Sequence, residues 1–486
     1  MEFPEIEEDD TVLCVDMDGT LVRSDLLLEG ILLLLKANIF SAFRLLLWLT
    51  KGKVYFKRRV AEAVQIDPKL LPFNKEFVAY LREEHRKVRK IALVTASYID
   101  VARIVADYLG IFDKCFATSS DVNLKGSRKA DFLEREFGLR NFDYAGDSVV
   151  DLPIWSKSRK SILVSSSKGL ARRVAEVSEL DAVFPGHRIT IMNYIKLIRV
   201  HQWIKNILIF VPLLAAHRYD EMPLVIDCLI AFFSLSICAS ATYVFNDLLD
   251  INADRQHPHK YRRMLASGDV PITHGIVMIP LLLVVGFGLA TFLPTVFSFG
   301  LAGYILITTV YSVLLKRVIA IDVFTLTLLF TYRLLLGSMV TLILPSFWLL
   351  AFSMFLFLSL AFVKRYSELY VLQRSSGDQA AGRGYEVGDL PTVLAQGIGS
   401  GYAATLVMAL YIRDPSTYDL YASPQVLWGI CIILLYWVTR LWLKCARGEI
   451  HNDPIVFAVT DPQSLLAGAL AGVIIYLASI PNLYSG

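Results

Sequence analysis

Three aspartates with spacings of three and four residues, Asp247, Asp250 and Asp254, form the most distinctive chemical pattern of the sequence. On a helix, these spacings place the carboxylates on one face, where like charges repel unless a cation lies among them. Carboxylate oxygens at this density suit Mg²⁺, which is commonly shared with substrate phosphates. Lys260 and Arg263 follow and offer donors for the remaining phosphate oxygens. The segment therefore predicts a magnesium-dependent diphosphate site.

A second pair of acids, Asp16 and Asp18, lies near the N-terminus and precedes Gly19 and Thr20. Residues 11–15 are apolar and β-branched, which predicts a buried strand that ends at this pair. Open α/β sheets bind their ligands at the carboxyl ends of strands. One aspartate can attack phosphorus while its neighbour transfers a proton. This pattern predicts phosphoryl chemistry.

The elements that must position these two groups differ between the halves of the chain. The protein has 486 residues, of which 55% are hydrophobic, and its mean hydropathy is +0.51. Residues 1–185 alternate apolar and charged stretches, whereas residues 186–486 contain apolar runs long enough to cross a bilayer. We expect an α/β domain over 1–185 and an all-α membrane domain over 186–486.

Nine spans are predicted, and charge indicates their orientation. The first ten residues contain six acids and no base, which excludes the basic region of a signal peptide. With the N-terminus in the cytoplasm, the connections rich in lysine and arginine also fall on the cytoplasmic side. We therefore expect a multi-pass plasma-membrane protein with cytoplasmic active sites. The spans are 203–217, 223–245, 275–293, 297–315, 320–341, 346–363, 391–411, 425–443 and 463–481.

Cysteine spacing and net charge exclude other classes of protein. The six cysteines show no C-x-x-C spacing, so we expect reduced thiols rather than metal ligands or disulfides. The net charge is only +3, which gives no indication of nucleic-acid binding.

The segment from Asn246 to Asp254 resembles the first aspartate-rich motif of the UbiA superfamily of intramembrane prenyltransferases. Other segments are more similar to one branch of it, the polyprenyl-phosphate 5-phosphoribosyltransferases. These segments are Arg199 with Gln202, Trp203, Lys205 and Asn206, residues 254–263, residues 266–268 and residues 364–369.

This resemblance implies a nine-helix bundle in which Asp247, Asp250 and Asp254 hold Mg²⁺ beside the reacting diphosphate. It also implies contacts to polyprenyl phosphate and phosphoribosyl diphosphate. The residues expected to make them are Gln202, Lys205, Asn246, Lys260 and Arg263, with Asp322 and Lys364 on the opposite wall.

One departure separates this chain from the usual aromatic prenyltransferases of the superfamily. Their second D-x-x-x-D motif is reduced to Asp322, with Leu326 four residues later. The loss favours a sugar diphosphate donor over a prenyl diphosphate donor. Two alternatives stay open: prenyl transfer to an aromatic or other acceptor, and a lipid transporter or scaffold with a regulatory phosphatase.

Four N-terminal segments resemble, in order, the motifs of the haloacid dehalogenase (HAD) superfamily of phosphatases. They are Asp16 to Thr20, Leu93 to Ser97, a lysine at 125 or 129, and Gly146 to Asp151. The resemblance implies a Rossmann-like α/β domain that uses Mg²⁺. The implied roles are Asp16 as nucleophile, Asp18 as general acid and base, Thr95 and Lys129 (or Lys125) as phosphate contacts, and Asp16, Asp18 and Asp147 as metal ligands.

Residues 24–88, between the first two motifs, predict a helical cap. Glu29, Lys36 and Arg44 interrupt its apolar stretch too often for a span, and basic residues follow at 51–59. An amphipathic helix on an anionic membrane surface would have this composition. Leucines that simply pack the cap explain it equally well.

Overall fold

The computed structural model describes residues 11–119, 123–186, 189–257, 260–374, 384–450 and 453–480. The acidic first ten residues, and Pro258 and His259 of the 254–263 segment, lie outside the described residues. The described chain forms two compact units. The first comprises residues up to Ile198 together with Val244–Ile279, and the second comprises Arg199–Tyr243 together with residues from Pro280 onward.

Six parallel strands form the sheet of the first unit, in the order β3-β2-β1-β4-β5-β6. Strand β1 pairs with β2 on one side and β4 on the other, so the strand order reverses at β1. Such a reversal opens a crevice at the carboxyl ends of the strands, where open α/β sheets bind ligands. The strands are β1 Val12–Val15, β2 Ile91–Tyr98, β3 Lys114–Thr118, β4 Phe142–Gly146, β5 Lys160–Val164 and β6 Glu179–Phe184.

Helices cover both faces of this sheet, as the apolar parallel strands require. On one face Leu13 and Val15 pack with Phe77 and Leu81 of α4, and on the other Cys14 packs with Leu133 of α6. The helices are α1 Leu26–Ala37, α2 Ser41–Thr50, α3 Lys53–Ala63, α4 Lys75–Arg86, α5 Ile99–Leu109, α6 Ser127–Phe137, α7 Leu152–Trp155, α8 Lys168–Val177 and α9 Ile191–Leu197.

The helical insertion between β1 and β2 has two parts. Helices α1 to α3 form the cap around a small core of Leu34, Leu45, Trp48 and Val60. Helix α4, which lies inside the segment predicted as cap, instead packs on the sheet because Phe77, Val78 and Leu81 line its inner face.

The remaining helices begin with α10 Val211–Ala215, which continues a 3₁₀ helix, Val200–Phe210. Helices α11 Met222–Leu249 and α12 Ile251–Gln256 carry the acid-rich segment. They are followed by α13 Ile272–Ala290, α14 Thr295–Val313, α15 Ile321–Thr341, α16 Phe347–Arg374, α17 Leu390–Tyr411, α18 Pro415–Leu420, α19 Trp428–Ala446, α20 Pro454–Thr460 and α21 Pro462–Ser479.

Within the described ranges, eight helices are long and apolar enough to cross a membrane, and a bent pair makes up to nine. The bent pair, Ile191–Leu197 with Val200–Ala215, has an angle of 51° and contains the short first span predicted at 203–217. The predicted fold class, an α/β domain followed by a helical membrane bundle, is confirmed. The helix that contains the sixth predicted span, 346–363, is longer than that span, because α16 continues through Lys364 and Arg365 to Arg374.

Candidate active sites

The carboxylates of the N-terminal domain meet at the crevice beside β1. Asp16 directly follows β1 and Asp147 directly follows β4, its neighbour in the sheet. Carboxylate oxygens of Asp16, Asp147 and Asp151 all lie within 4.8 Å of one another. The backbone at Gly19 has φ +83°, and a Cβ there would overlap the carboxylate of Asp147. The tight turn within the first motif therefore requires glycine at position 19.

This cluster fits a hard divalent cation. Burial raises the pKa of Asp147 well above its ordinary value, and the charges of Asp16 and Asp151 add to the rise. Burial also raises the pKa of Asp16, which Lys129 opposes. Three carboxylates, of which Asp151 is buried and the other two are partly buried, repel one another and form an oxygen donor set that suits Mg²⁺.

Asp151 was not predicted as a ligand, although the D-x-x-x-D spacing from Asp147 was visible in the sequence. It is buried and accepts hydrogen bonds from the Tyr144 hydroxyl at 3.1 Å and from the Ser148 backbone N–H at 3.2 Å. Asp18, which was predicted as a metal ligand, lies outside this cluster of three.

Of the two candidate lysines, the structure brings Lys129 to the predicted nucleophile. Its Nζ lies 2.9 Å from Oδ1 of Asp16 and donates hydrogen bonds to the carbonyl of Val94 and the hydroxyl of Tyr144. Lys129 is buried at the start of α6, whereas Lys125 is exposed. The geometry therefore favours Lys129 as the cation beside the phosphate.

Asp18 is arranged for proton transfer. It accepts hydrogen bonds from the Ser97 hydroxyl at 2.6 Å and from the backbone N–H of Leu26 at 2.9 Å. Burial, with a contribution from Asp25, raises the pKa of Asp18 to about 7. A carboxyl with this pKa can both give and take a proton near neutral pH.

Thr95 and Ser97 lie at the carboxyl end of β2, as the second motif predicts. Thr95 is fully buried, and its hydroxyl oxygen accepts the backbone N–H of Ser97 at 3.0 Å. Lys57 of the cap helix α3 donates to the Ala96 carbonyl at 2.5 Å, and burial lowers the pKa of Lys57. Lys57 was noted only as one of the basic residues at 51–59, because no spacing connects the cap to the motifs.

The acid-rich segment forms a second candidate site, also in the first unit. The expectation of one continuous helical face was wrong, because α11 ends at Leu249 and Asp250 begins α12 as its N-cap with φ −96° and ψ 11°. Asp247 and Asp254 are buried and share Arg263, whose Nη1 lies 3.1 and 2.6 Å from their oxygens. Burial raises the pKa of Asp254, and Arg263 opposes the rise. The arrangement concentrates negative charge beside a cation that can also donate to phosphate.

Asn246 lies half-buried one residue before Asp247, and Lys260 begins a short 3₁₀ turn, Lys260–Arg262, before Arg263. The remaining aspartate, Asp250, contacts a different cation, since its Oδ1 lies 3.3 Å from Nζ of Lys36 on cap helix α1. Two closely spaced carboxylates with nearby basic groups suit Mg²⁺ shared with phosphates.

Cap helix α1 is joined to the acid-rich segment by a buried ion pair. The guanidinium of Arg255 contacts both oxygens of Glu29 at 2.7 and 2.9 Å, and the two side chains are 5% and 2% exposed. Arg255 also donates to the carbonyl of Ala266 at 2.9 Å. Gly268 has φ +72°, and a Cβ there would lie 2.6 Å from the carbonyl oxygen of Arg23. These contacts were not predicted, because they join chain positions more than 200 residues apart.

In the second unit, the predicted Lys205 is buried and paired with Asp453, with 2.5 Å between Nζ and Oδ2. Lys364 lies 3.9 Å from the same carboxylate, so Asp453 joins two predicted phosphate contacts. Asp453 was missed, as an isolated acid after α19 carries no spacing signal. Gln202 lies half-buried one turn before Asn206.

Arg333 was also missed, although an arginine within an apolar span indicates a functional or structural site. It is buried in α15 and donates to Asn206 at 2.9 Å and to the Tyr304 hydroxyl at 2.7 Å.

Asp322 was expected on the wall of the substrate site, and the structure shows that it is paired with Arg365. Its carboxylate and the guanidinium of Arg365 are both fully buried and lie 2.7 Å apart, and Arg365 also contacts Glu368. Asp322 therefore neutralises a buried arginine, while Lys364 contacts Asp453.

These features define a multi-pass membrane protein with an N-terminal α/β domain built on a parallel sheet. The model of the UbiA prenyltransferase family matches residues 207–478, and the chain belongs to that family.

Three relatives are similar in sequence. The uncharacterized protein y4nM of Sinorhizobium fredii is 34% identical over 468 residues, which are 94% of this chain and 89% of the relative. The nodulation protein NoeC of Azorhizobium caulinodans is 33% identical and covers 57% of this chain and 91% of its own length. The decaprenyl-phosphate phosphoribosyltransferase of Mycobacterium tuberculosis is 31% identical over 38% of this chain and 63% of its own length.

Two solved structures align with different parts of the chain. A UbiA homolog from Archaeoglobus fulgidus bound to DMAPP and Mg²⁺ has 15% identity and a TM-score of 0.45, over 59% of this chain and 99% of the homolog. A substrate-bound phosphoserine phosphatase has 15% identity and a TM-score of 0.26, over 36% of this chain and 92% of the phosphatase chain.

Proposed function

We propose that the membrane domain transfers 5-phosphoribose from phosphoribosyl diphosphate to a polyprenyl phosphate, and that the N-terminal domain removes the 5-phosphate from the lipid product. The observation that carries the proposal is the pairing of Asp247 and Asp254 around Arg263. The relatives named decaprenyl-phosphate phosphoribosyltransferases support this donor and acceptor.

In the transfer step, an oxygen of the lipid phosphate attacks C1 of the ribose. The bond from C1 to the diphosphate breaks, and the diphosphate leaves with the electron pair. Mg²⁺, when held by Asp247, Asp250 and Asp254, would neutralise charge on this leaving group. Arg263 donates to the diphosphate with the N–H groups that the carboxylates leave open, as Lys260 does with its ammonium. Lys205 and Lys364 of the second unit, which both contact Asp453, would bind phosphate oxygens of a substrate.

In the hydrolytic step, Asp16 attacks the phosphorus of the 5-phosphate and forms an aspartyl phosphate. Asp18 donates a proton to the departing 5-hydroxyl and then takes one from the water that hydrolyses the intermediate. Lys129 favours the ionised form of Asp16 and neutralises phosphate charge, while Thr95 donates to a phosphate oxygen. Asp16, Asp147 and Asp151 would hold the Mg²⁺ of this site.

The test is product analysis with the purified full chain, radiolabelled phosphoribosyl diphosphate, polyprenyl phosphate and Mg²⁺. We expect a ribosylated lipid without 5-phosphate from the native protein. Asp16→Asn should accumulate the 5-phosphorylated lipid, and Asp247→Asn with Asp254→Asn should abolish lipid labelling. Asp269→Asn is the matched control, since this acid lies between α12 and α13 and is 41% exposed beside Arg23. Unchanged labelling in the double variant would refute the transferase assignment.

Prenyl transfer to an aromatic or other acceptor is the second candidate, because the matched family is that of the prenyltransferases. Prenyl transfer would release diphosphate from a prenyl diphosphate and would consume no phosphoribosyl diphosphate. The pairing of Asp322 with Arg365, which leaves this position without an open carboxylate pair, favours the first candidate.

A further inference from the structure

Cap helix α2 is apolar on both of its faces. Ser41, Leu45 and Trp48 point inward, where Leu45 and Trp48 pack with α1 and α3. The outward residues include Phe43, Leu46 and Leu47, which are 68%, 63% and 64% exposed, and Phe40 just before the helix is 71% exposed. A helix that is apolar all round belongs in a protein core or in lipid. The inner face accounts for the cap core, so the outer face needs a second apolar environment.

The length of α2 and its flanking charges identify that environment. Its ten residues extend about 15 Å, half of the roughly 30 Å needed to cross the hydrocarbon core. Exposed Lys51 and Lys53 follow directly, and the guanidinium of Arg44 lies 5.2 Å from the ring centre of Trp48. An apolar face bordered by lysine and arginine is typical of a helix that lies in the interface of an anionic bilayer.

The position of α2 follows from α1, which places it beside the end of a membrane helix. Leu32 of α1 packs with Val244 and Leu248 at the end of α11 and with Ile272 at the start of α13. Lys36, in the last turn of α1, contacts Asp250, which directly follows α11. Helix α2 begins at Ser41, five residues after Lys36. Helix α2 therefore begins within a few residues of the contact between α1 and the end of α11.

We propose that α2 is an interfacial membrane helix that holds the phosphatase cap in the headgroup region, on the face of the bilayer where α11 ends. The partner of its exposed face is the surface of an anionic bilayer. Lys57 connects this surface to the phosphatase site, since α3 packs on α2 and donates through Lys57 to Ala96, next to Ser97.

This placement deepens the proposed function and rests on it in one respect. A phosphatase site held at the headgroups can accept a phosphate that remains attached to a membrane lipid. The 5-phosphate of a polyprenyl-phosphoryl sugar is such a group. The location of α2 itself depends on no assumption about the substrate.

The test is the immersion depth of α2 in the full chain, reconstituted in nanodiscs of phosphatidylcholine and phosphatidylglycerol. Phe43→Cys, Leu46→Cys and Leu47→Cys are spin-labelled one at a time in a Cys115→Ser background. Cys115 is the half-buried native cysteine, while the other five are buried. Depth is measured from the relative accessibility of each label to oxygen and to a water-soluble nickel chelate. Val88→Cys is the matched control. Val88 is 80% exposed and precedes β2, so it lies near the amino ends of the strands, away from the crevice at their carboxyl ends.

We expect the three α2 labels to lie roughly 5–10 Å below the phosphates and the Val88 label to be aqueous. Aqueous accessibility at all three positions would overturn the proposal. Dipolar broadening that disappears on dilution with unlabelled protein would overturn it as well, because a second copy would then cover the face.

A functional measurement separates this proposal from the proposed function. The variant Phe43→Ser/Leu46→Ser/Leu47→Ser should retain hydrolysis of p-nitrophenyl phosphate and lose hydrolysis of a lipid-borne sugar phosphate in vesicles. If the labels are immersed but the native protein does not hydrolyse that lipid, the proposed substrate is refuted and the interfacial location of α2 is supported. Equal lipid hydrolysis by the variant and the native protein would contradict the role of α2.

Discussion

Removal of one partner of the buried pair Glu29–Arg255 should release cap helix α1 from the acid-rich segment. In Glu29→Ala, the guanidinium of Arg255 loses both charged contacts, at 2.7 and 2.9 Å, in surroundings where it is only 5% exposed. Breaking a buried ion pair from one side costs about 3–5 kcal/mol, because a buried charge is left without compensation. We expect the low end of this range, since Arg255 keeps its hydrogen bond to Ala266. Since about 1.4 kcal/mol corresponds to a tenfold change in an equilibrium constant, the equilibrium constant for local opening should rise roughly 100-fold.

Hydrogen exchange measured by mass spectrometry on the reconstituted protein tests this magnitude. Amides of α1 and α12 should lose protection by that factor, whereas amides of β1 and β4 should be unchanged, since the opening is local. Glu83→Ala is the control, because Glu83 pairs with Arg86 on an exposed surface. The double variant Glu29→Leu/Arg255→Met should recover much of the protection, as apolar pairs often replace buried ion pairs at little cost. Equal exchange in Glu29→Ala and Glu83→Ala would refute the reasoning.

Three further predictions concern the phosphatase site. Lys129→Met should slow phosphate release roughly 10²- to 10³-fold in steady-state assays, because it removes a buried cation beside Asp16, whereas Lys125→Met should have little effect. In single-turnover assays, aspartyl-phosphate formation should fall as pH rises through about 7, the pKa of Asp18, since only its protonated form donates. Ser97→Ala, which removes a hydrogen bond that lowers this pKa, should move the fall to higher pH, and a shift to lower pH would contradict the assignment. Asp151→Asn should raise the Mg²⁺ concentration needed for half-maximal activity roughly 10- to 100-fold, as measured by titration of a chelated enzyme.

The sequence was informative wherever function depends on local order along the chain. A buried apolar strand predicted where Asp16 would lie, and the resemblance of the motifs implied that Asp147 would join it; the structure places the two at neighbouring strand ends. The apolar runs predicted the spans to within a few residues, except where α16 continues through Arg365. Arg365 is buried there, and Asp322 of α15 neutralises it.

What could not be predicted depends on contacts between distant segments. Glu29 was noted only as a charge that interrupts an apolar stretch, and its pairing with Arg255 becomes visible only where α1 meets α12. Likewise, the spacing of the acid-rich segment suggested one helical face, but Lys36 from the cap contacts Asp250 where the helix is interrupted. Asp453 was missed for the same reason, because its significance comes from Lys205 on a remote element.

Helix α1 connects the two kinds of chemistry more directly than the linear order of the domains suggests. The backbone N–H of Leu26, its first residue, donates to Asp18 of the phosphatase site. Glu29 and Lys36, on the same twelve-residue helix, contact Arg255 and Asp250 of the acid-rich segment. A rigid helix of about 18 Å therefore fixes the distance between the proton-transferring carboxylate and the proposed diphosphate site. Since Asp250 and Lys36 attract each other, a cation bound at Asp250 would compete with Lys36 for this carboxylate. Cation binding at the proposed diphosphate site would therefore act on α1, the helix whose first residue contacts Asp18.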